Sequence, residues 1–306
     1  MKRDLISIAD LGRPDLLRYL EQAAHVEALP AASKSRLLTG RVLAVLFFEP
    51  STRTRLSFEA AMARLGGSVL GFAEATTASV VKGESLRDTA RTVERYADIL
   101  AIRHPREGAA RVVAEATGIP IVNAGDGTNQ HPSQTLLDLY TLKKYFGTLD
   151  GLKIALAGDL KYSRTVHSLV QALALFDAVE FTLVSPPMLR LPEYLRESGP
   201  AARAKFAETE VLDDAVERCN VVYMTRVQKE RFPDLLEYEK VKDAYCIDAR
   251  LLQHAAPGLK IMHPLPRVNE IHADVDQTPH AGYFDQVANG VIMRQAIMLD
   301  LLGVTP

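Results

Sequence analysis

Val42-Leu-Ala-Val-Leu-Phe-Phe48-Glu-Pro-Ser51-Thr-Arg-Thr-Arg55-Leu-Ser-Phe-Glu-Ala-Ala-Met-Ala-Arg-Leu65 is the stretch that decides the fold. Val42–Phe48 is an unbroken apolar run, too short for an ordinary helix and bounded by Glu49-Pro50. Such a run reads as a strand buried on both faces. After it, Leu56, Phe58, Ala61, Met62 and Leu65 recur at helical spacing, with Ser51 placed to cap the helix. Strand, tight turn and helix in immediate succession are the start of a βαβ unit.

The same alternation runs outward in both directions. Strand candidates lie at Ile99–Arg103, Ile119–Asn123, Lys153–Ala157, Val179–Val184, Asn220–Met224, Tyr245–Ile247 and Lys260–His263. Helical spacing occupies Pro14–Ala28, Leu86–Tyr96, Glu107–Thr117, Pro132–Phe146, Ser163–Phe176 and Asp285–Leu302, with Asp285 as the cap of the last. Strands separated by helices imply right-handed crossovers and mainly parallel sheets, hence an α/β fold. The 306 residues suggest about two domains. Gly147 and Leu149-Asp150-Gly151 close one long helix before a fresh strand-turn-helix unit begins, so the boundary falls near residue 150. Pro186, Pro187 and Pro192 predict an exposed excursion without regular structure between Ser185 and Pro200.

Composition excludes several classes of function. The chain is 47% hydrophobic and 24% charged, with a formal net charge of -2, so no global charge footprint points to nucleic acid or a membrane surface. No segment approaches the ~20 apolar residues of a membrane span. The opening residues lack a secretory pattern, and the chain reads as cytoplasmic. Cys219 and Cys246 read as reduced core residues, with no CxxC or Cys/His cluster for zinc. GxGxxG, GxxxxGK[ST], GxSxG and HExxH are all missing from the sequence. Chemistry through a metal, a nucleotide cofactor or a protein nucleophile is therefore not expected.

Local charge is more informative. Ser51, Thr52, Arg53, Thr54 and Arg55 open a helix at the carboxyl end of a strand. Free N–H groups, hydroxyls and forked guanidinium donors together suit a phosphate; a capped helix with solvated arginines is the plain alternative. In His131-Pro-Ser-Gln134, proline takes the first helical position, so His131 and Gln134 share a face at a helix start and can reach one small ligand. The preceding segment, Asn123–Asn129, reads as a flexible approach loop. Arg103 ends one strand, Arg164 opens a helix after Gly158-Asp159, and Arg226 with Gln228 follows another strand. Arg103 alone is equally an exposed strand-end arginine, and Arg226 alone equally a surface salt bridge. His263-Pro-Leu-Pro-Arg267 ends a strand with two prolines. Leu265-Pro266 is a candidate cis turn able to aim two carbonyls at a ligand amide, or simply a rigid loop. Several arginines at successive strand ends in both halves are most economically explained by a site for two small anions.

These segments, in this order and over essentially the whole chain, resemble the aspartate carbamoyltransferase catalytic chain family. Ser51–Arg55 is similar to the carbamoyl-phosphate loop shared with ornithine carbamoyltransferases, and His131–Gln134 to the second shared motif. His263-Pro-Leu-Pro-Arg267 is similar to the aspartate branch; the cysteine and Ser-Met-Gly signals of the ornithine branch do not occur. The resemblance implies two doubly wound parallel-sheet domains flanked and linked by long helices. These are a carbamoyl-phosphate domain at 1–147 plus 285–306 and an aspartate domain at 148–284. It implies that Ser51, Thr52, Arg53, Thr54 and Arg103 hold phosphate and that His131 and Gln134 engage the carbamoyl group, with the carbonyls of Leu265 and Pro266 on its amide. Arg164, Arg226 and Gln228 would bind aspartate. Ser79 and Lys82 would come from a neighbouring subunit, which makes the assembly a homotrimer at minimum.

The implied reaction passes the carbamoyl group of carbamoyl phosphate to the amine of L-aspartate, an early step of pyrimidine biosynthesis. It needs no cofactor and no metal. Arg53, Lys82, Arg103, Arg164 and Arg226 would hold two anions together, with His131 donating to the developing oxyanion. A regulatory chain or another pathway enzyme is a candidate partner; nucleic acid and membrane are not. The rival readings are a carbamoyltransferase with another amine acceptor such as ornithine, a non-catalytic scaffold of the same fold, and a plain anion-binding protein.

Overall fold

A computed structural model of the chain describes residues 2–73, 83–232 and 234–305. It divides into two compact units, Met1–Tyr140 with Val287–Pro306, and Thr141–Gln286. The first is built on a four-stranded parallel sheet in the order β2-β1-β3-β4. Its strands are β1 (Val42–Phe47), β2 (Ser68–Phe72), β3 (Ile99–His104) and β4 (Ile121–Asp126). The accompanying helices are α1 (Arg13–Ala28), α2 (Ala31–Lys34), α3 (Thr52–Arg64), α4 (Leu86–Val93), α5 (Ala109–Ala116) and α6 (Pro132–Phe146), which runs on past the unit's edge. β1 is paired on both sides and buried from Leu43 to Phe47, which is why it reads as a continuous apolar run. Ala44, Leu46, Leu100, Ile102 and Ile121 form a core with Ala90 of α4 and Ala110 and Val113 of α5.

The second unit carries a five-stranded parallel sheet in the order β7-β6-β5-β8-β9. Its strands are β5 (Lys153–Ala157), β6 (Glu180–Val184), β7 (Lys205–Thr209), β8 (Val221–Met224) and β9 (Lys260–Met262). The helices are α7 (Arg164–Leu173), α8 (Glu193–Glu197), α9 (Leu212–Arg218) and α10 (Leu235–Val241). Finally α11 (Tyr283–Leu301) begins here and continues, from Val287, in the first unit.

Both orders reverse once: β1 winds outward to β2 on one side and inward to β3 on the other, and β5 likewise to β6 and β8. Open α/β sheets bind ligands in the crevice at such a switch, outside the carboxyl ends of the strands. The residues following β1, β3, β5 and β8 therefore stand where a ligand would bind.

Several elements differ from the sequence reading. β2 and β7 are edge strands with partly solvated faces, so they lack the apolar run that announces a buried strand. Tyr245–Ile247 forms only a single bridge, Ile247 to Ile271, rather than a strand. The stretch from Ser185 to Pro200 is less irregular than its prolines suggest: it contains α8 and buries Leu189, Leu191 and Leu195. Asp285 does not cap α11, which starts two residues earlier. It sits in the first turn and accepts from the Tyr145 hydroxyl at 2.5 Å. Cys219 is buried but Cys246 is exposed; both are free thiols.

Candidate active site

At the end of β1, Ser51 is the cap residue of α3, yet its side chain makes no capping bond. The first backbone bond of the helix runs from Arg55 N–H to Ser51 O at 3.1 Å, so α3 itself does not use the N–H groups before Arg55. Thr52 and Arg53 are exposed here and Thr54 is buried. Arg55 Nε pairs with Glu59 one turn along, at 2.6 Å. Arg103 lies opposite Phe47 in the sheet register, and its Nη2 meets Glu49 Oε1 at 2.6 Å. A guanidinium has five donors, so Glu49 fixes the arginine beside the turn without exhausting it.

β4 runs to Asp126, three residues beyond the strand read from sequence, and the turn after it is tightly bonded rather than a loose approach loop. The buried Asp126 carboxylate accepts from Gly108 N–H at 2.8 Å, Asn123 Nδ2 at 2.8 Å, Gln130 N–H at 3.1 Å and Asn129 Nδ2 at 3.1 Å. This delivers His131, whose carbonyl accepts from the N–H groups of Gln134 and Thr135 at 2.9 and 3.1 Å and so starts α6. His131 and Gln134 are both buried on that first turn.

Gln134 has a fixed polarity. Its Nε2 donates to Asp138 Oδ1 at 2.9 Å, and a carboxylate can only accept, so the amide oxygen is the end left for a ligand donor. Asp138 in turn acts on Arg294 of α11, a fully buried guanidinium whose pKa burial pulls down to about 10. Arg294 donates to Ser57 Oγ of α3 at 2.9 Å and lies 5.0 Å over the Phe58 ring. The two helix starts of this unit are thus braced by one arginine.

In the second unit Gly158 follows β5 at φ +104, packed so closely that an added Cβ would lie 2.1 Å from the Thr225 carbonyl oxygen. Asp159 N–H donates to Thr225 Oγ1 at 3.1 Å, and the Asp159 carboxylate accepts from Tyr162 N–H at 2.9 Å and Gln228 N–H at 3.5 Å. Burial pushes the Asp159 carboxyl up to about 6 against these bonds and the charge of Arg226. Arg164, first residue of α7, and Arg226 and Gln228, just past β8, are all partly exposed. Gln228 Nε2 reaches the Tyr162 carbonyl at 3.5 Å, so Gln228 and Arg226 gather around Asp159 at the switch point, and Arg164 opens α7 beyond the same turn.

After β9, the Leu265–Pro266 peptide is cis, in keeping with the sequence reading, and Leu265 has φ +52. Arg267 is tied to Asp276, with its Nη2 2.6 Å from Oδ2, and to the Tyr283 hydroxyl at 3.0 Å. Ser79 and Lys82 lie outside the described residues. Sequence reasoning missed the carboxylates Asp126, Asp138, Asp159 and Glu270, which hold the candidate residues in place. Asp138 was signalled by its i+4 spacing from Gln134, and Asp159 by following the strand-end Gly158.

Residues 3–144 match the family profile described as aspartate/ornithine carbamoyltransferase, carbamoyl-P binding domain, and residues 150–301 match its Asp/Orn binding domain. The chain belongs to the aspartate/ornithine carbamoyltransferase family. Within this carbamoyltransferase family, it is 55% identical over 303 residues to the aspartate carbamoyltransferase catalytic subunit of Thermococcus onnurineus, covering 99% of this chain and 97% of that one. The solved catalytic subunit of M. jannaschii aspartate transcarbamoylase superposes with a TM-score of 0.91 at 53% identity, covering 99% and 98% of the two chains. The Trypanosoma cruzi aspartate transcarbamoylase, solved with carbamoyl phosphate and aspartate, gives a TM-score of 0.92 at 38% identity over 100% and 97%.

Proposed function

We propose that this chain transfers the carbamoyl group of carbamoyl phosphate to the amine of L-aspartate, releasing phosphate and N-carbamoyl-L-aspartate. The observation that carries the acceptor's identity is that Arg226 and Gln228 gather around Asp159, with Arg164 opening α7 after the same turn. Two guanidinium groups and an amide at one switch point suit a small dicarboxylate. The helix start with Ser51, Thr52, Arg53 and Thr54, beside Arg103, suits the phosphate of the donor.

The neutral amine of aspartate attacks the carbamoyl carbon, forming the N–C bond. His131 donates to the oxyanion that develops, the Gln134 oxygen and the carbonyls of Leu265 and Pro266 accept from the carbamoyl amide, and the C–O bond to phosphate breaks. The departing phosphate takes the electron pair and can accept the proton the amine loses. The protein contributes proximity and charge, holding two anions that repel each other in solution. Lys82 and Ser79 enter this site from a neighbouring copy, in a homotrimer that works in the cytoplasm; among the described residues no helix is long and apolar enough to cross a membrane. A regulatory chain is the further partner that fits, since the similar proteins are named catalytic subunits.

The test is phosphate release from carbamoyl phosphate with L-aspartate or L-ornithine as acceptor. Release with aspartate alone is expected. Release with ornithine alone assigns the chain to the other branch, and none with either leaves a binding protein.

A further inference from the structure

His263 and Glu270 stand at the two ends of the Leu265-Pro266 turn, and their side-chain bonds run within residues 263–270. The Leu265 N–H donates to His263 Nδ1 at 2.8 Å, so Nδ1 holds a lone pair and the single proton of a neutral ring sits on Nε2. Nε2 then donates to Glu270 Oε1 at 2.7 Å. Glu270 Oε2 accepts the N–H groups of Val268 and Asn269, each at 3.1 Å. At the root, His263 N–H donates to the Gln286 side-chain oxygen at 2.7 Å. The two side chains are 1% and 6% exposed, so water does not substitute for these partners. A continuous set of bonds therefore runs from residue 263 to residue 270 around a leucine held at φ +52, a region leucine seldom adopts.

The charge states agree with this wiring. Burial holds the His263 imidazole below its usual range, Arg226 and Arg267 act the same way, and Glu270 only partly opposes them. Burial raises the Glu270 carboxyl, but the bonds from His263 and the backbone outweigh it and keep the group ionised.

We propose that His263 and Glu270 are positioning residues, a neutral imidazole donating to a buried carboxylate so that the turn presents the Leu265 and Pro266 carbonyls to the carbamoyl amide. The proposal rests on the carbamoyl-transfer reading above. It separates two ligands that share a phosphate: carbamoyl phosphate needs the turn, whereas inorganic phosphate has no amide and does not.

Glu270→Gln replaces two acceptor oxygens with one, which cannot serve both Nε2–H and the Val268 and Asn269 N–H groups. The expected result is a KM for carbamoyl phosphate raised about tenfold, the equivalent of one hydrogen bond, with calorimetric affinity for inorganic phosphate kept within about twofold. His263→Asn retains an acceptor near the Nδ1 position and is expected to keep more carbamoyl phosphate affinity than His263→Ala. Should Glu270→Gln fail to fold, the Asn and Ala pair carries the test. A wild-type chain that releases no phosphate from carbamoyl phosphate and aspartate removes the underlying reading. An active wild type whose variants keep the KM for carbamoyl phosphate within about twofold overturns the positioning role, and so does equal loss of both ligands.

Discussion

Replacing the Asp138 carboxylate with an amide tests how Gln134 is held, because an amide can donate as well as accept. With Asp138→Asn the Gln134 amide loses its enforced polarity, and either end can face the ligand. The change also removes the charge that supports the buried Arg294. Removing a compensating charge near a buried guanidinium is destabilising. The expected outcome is a higher KM for carbamoyl phosphate together with a lower urea midpoint; an unchanged midpoint would show that Arg294 does not depend on Asp138. Asp159 gives a pH test. Its folded pKa of about 6 lies above the ordinary 3.8, so the folded state binds the proton more tightly, and stability from this group falls as pH rises from about 4 through 6. A shift of roughly two units corresponds to about 3 kcal/mol. Asp159→Asn should abolish that component, so the difference in unfolding free energy between variant and wild type should change between pH 4 and pH 7. A constant difference would refute the assignment.

Elements enter through the ends of β1, β3, β5 and β8, where each candidate side chain is delivered by a strand-to-helix turn or a strand end. Gly158 shows how tight this is. Its φ of +104 and the 2.1 Å approach of an added Cβ to the Thr225 oxygen leave no room for a side chain. Gly158→Ala should destabilise the second unit by at least about 1–3 kcal/mol, the usual cost of a strained backbone position, and push β5 and β8 apart at the aspartate cluster. Denaturant titration with aspartate kinetics checks this: a variant with wild-type midpoint and wild-type KM for aspartate would contradict the packing. The first unit makes the same point with Arg103, whose place beside the α3 turn follows from its register opposite Phe47.

For the whole molecule, the proposed subunit-shared site predicts complementation. Lys82→Ala and Arg53→Ala chains, each inactive alone, should regain turnover when refolded together, because some hybrid sites then receive both wild-type residues; no gain on mixing would refute the sharing. The alternation of strands and helices, the α/β class and the arginines at strand ends were legible in the sequence, because burial on both faces leaves continuous apolar runs and helix starts carry local capping and proline signals. The edge strands β2 and β7 were not, since a strand solvated on one side takes its identity from its neighbour. Nor could spacing reveal that Asp126 gathers four donors, or that His263 and Glu270 clasp one turn. Local periodicity and motif chemistry determined which residues are the candidates for the site. Only the tertiary structure decided how those carboxylates are used, because burial and bonds such as Gly108 to Asp126 and Gln228 to Asp159 join residues far apart in sequence.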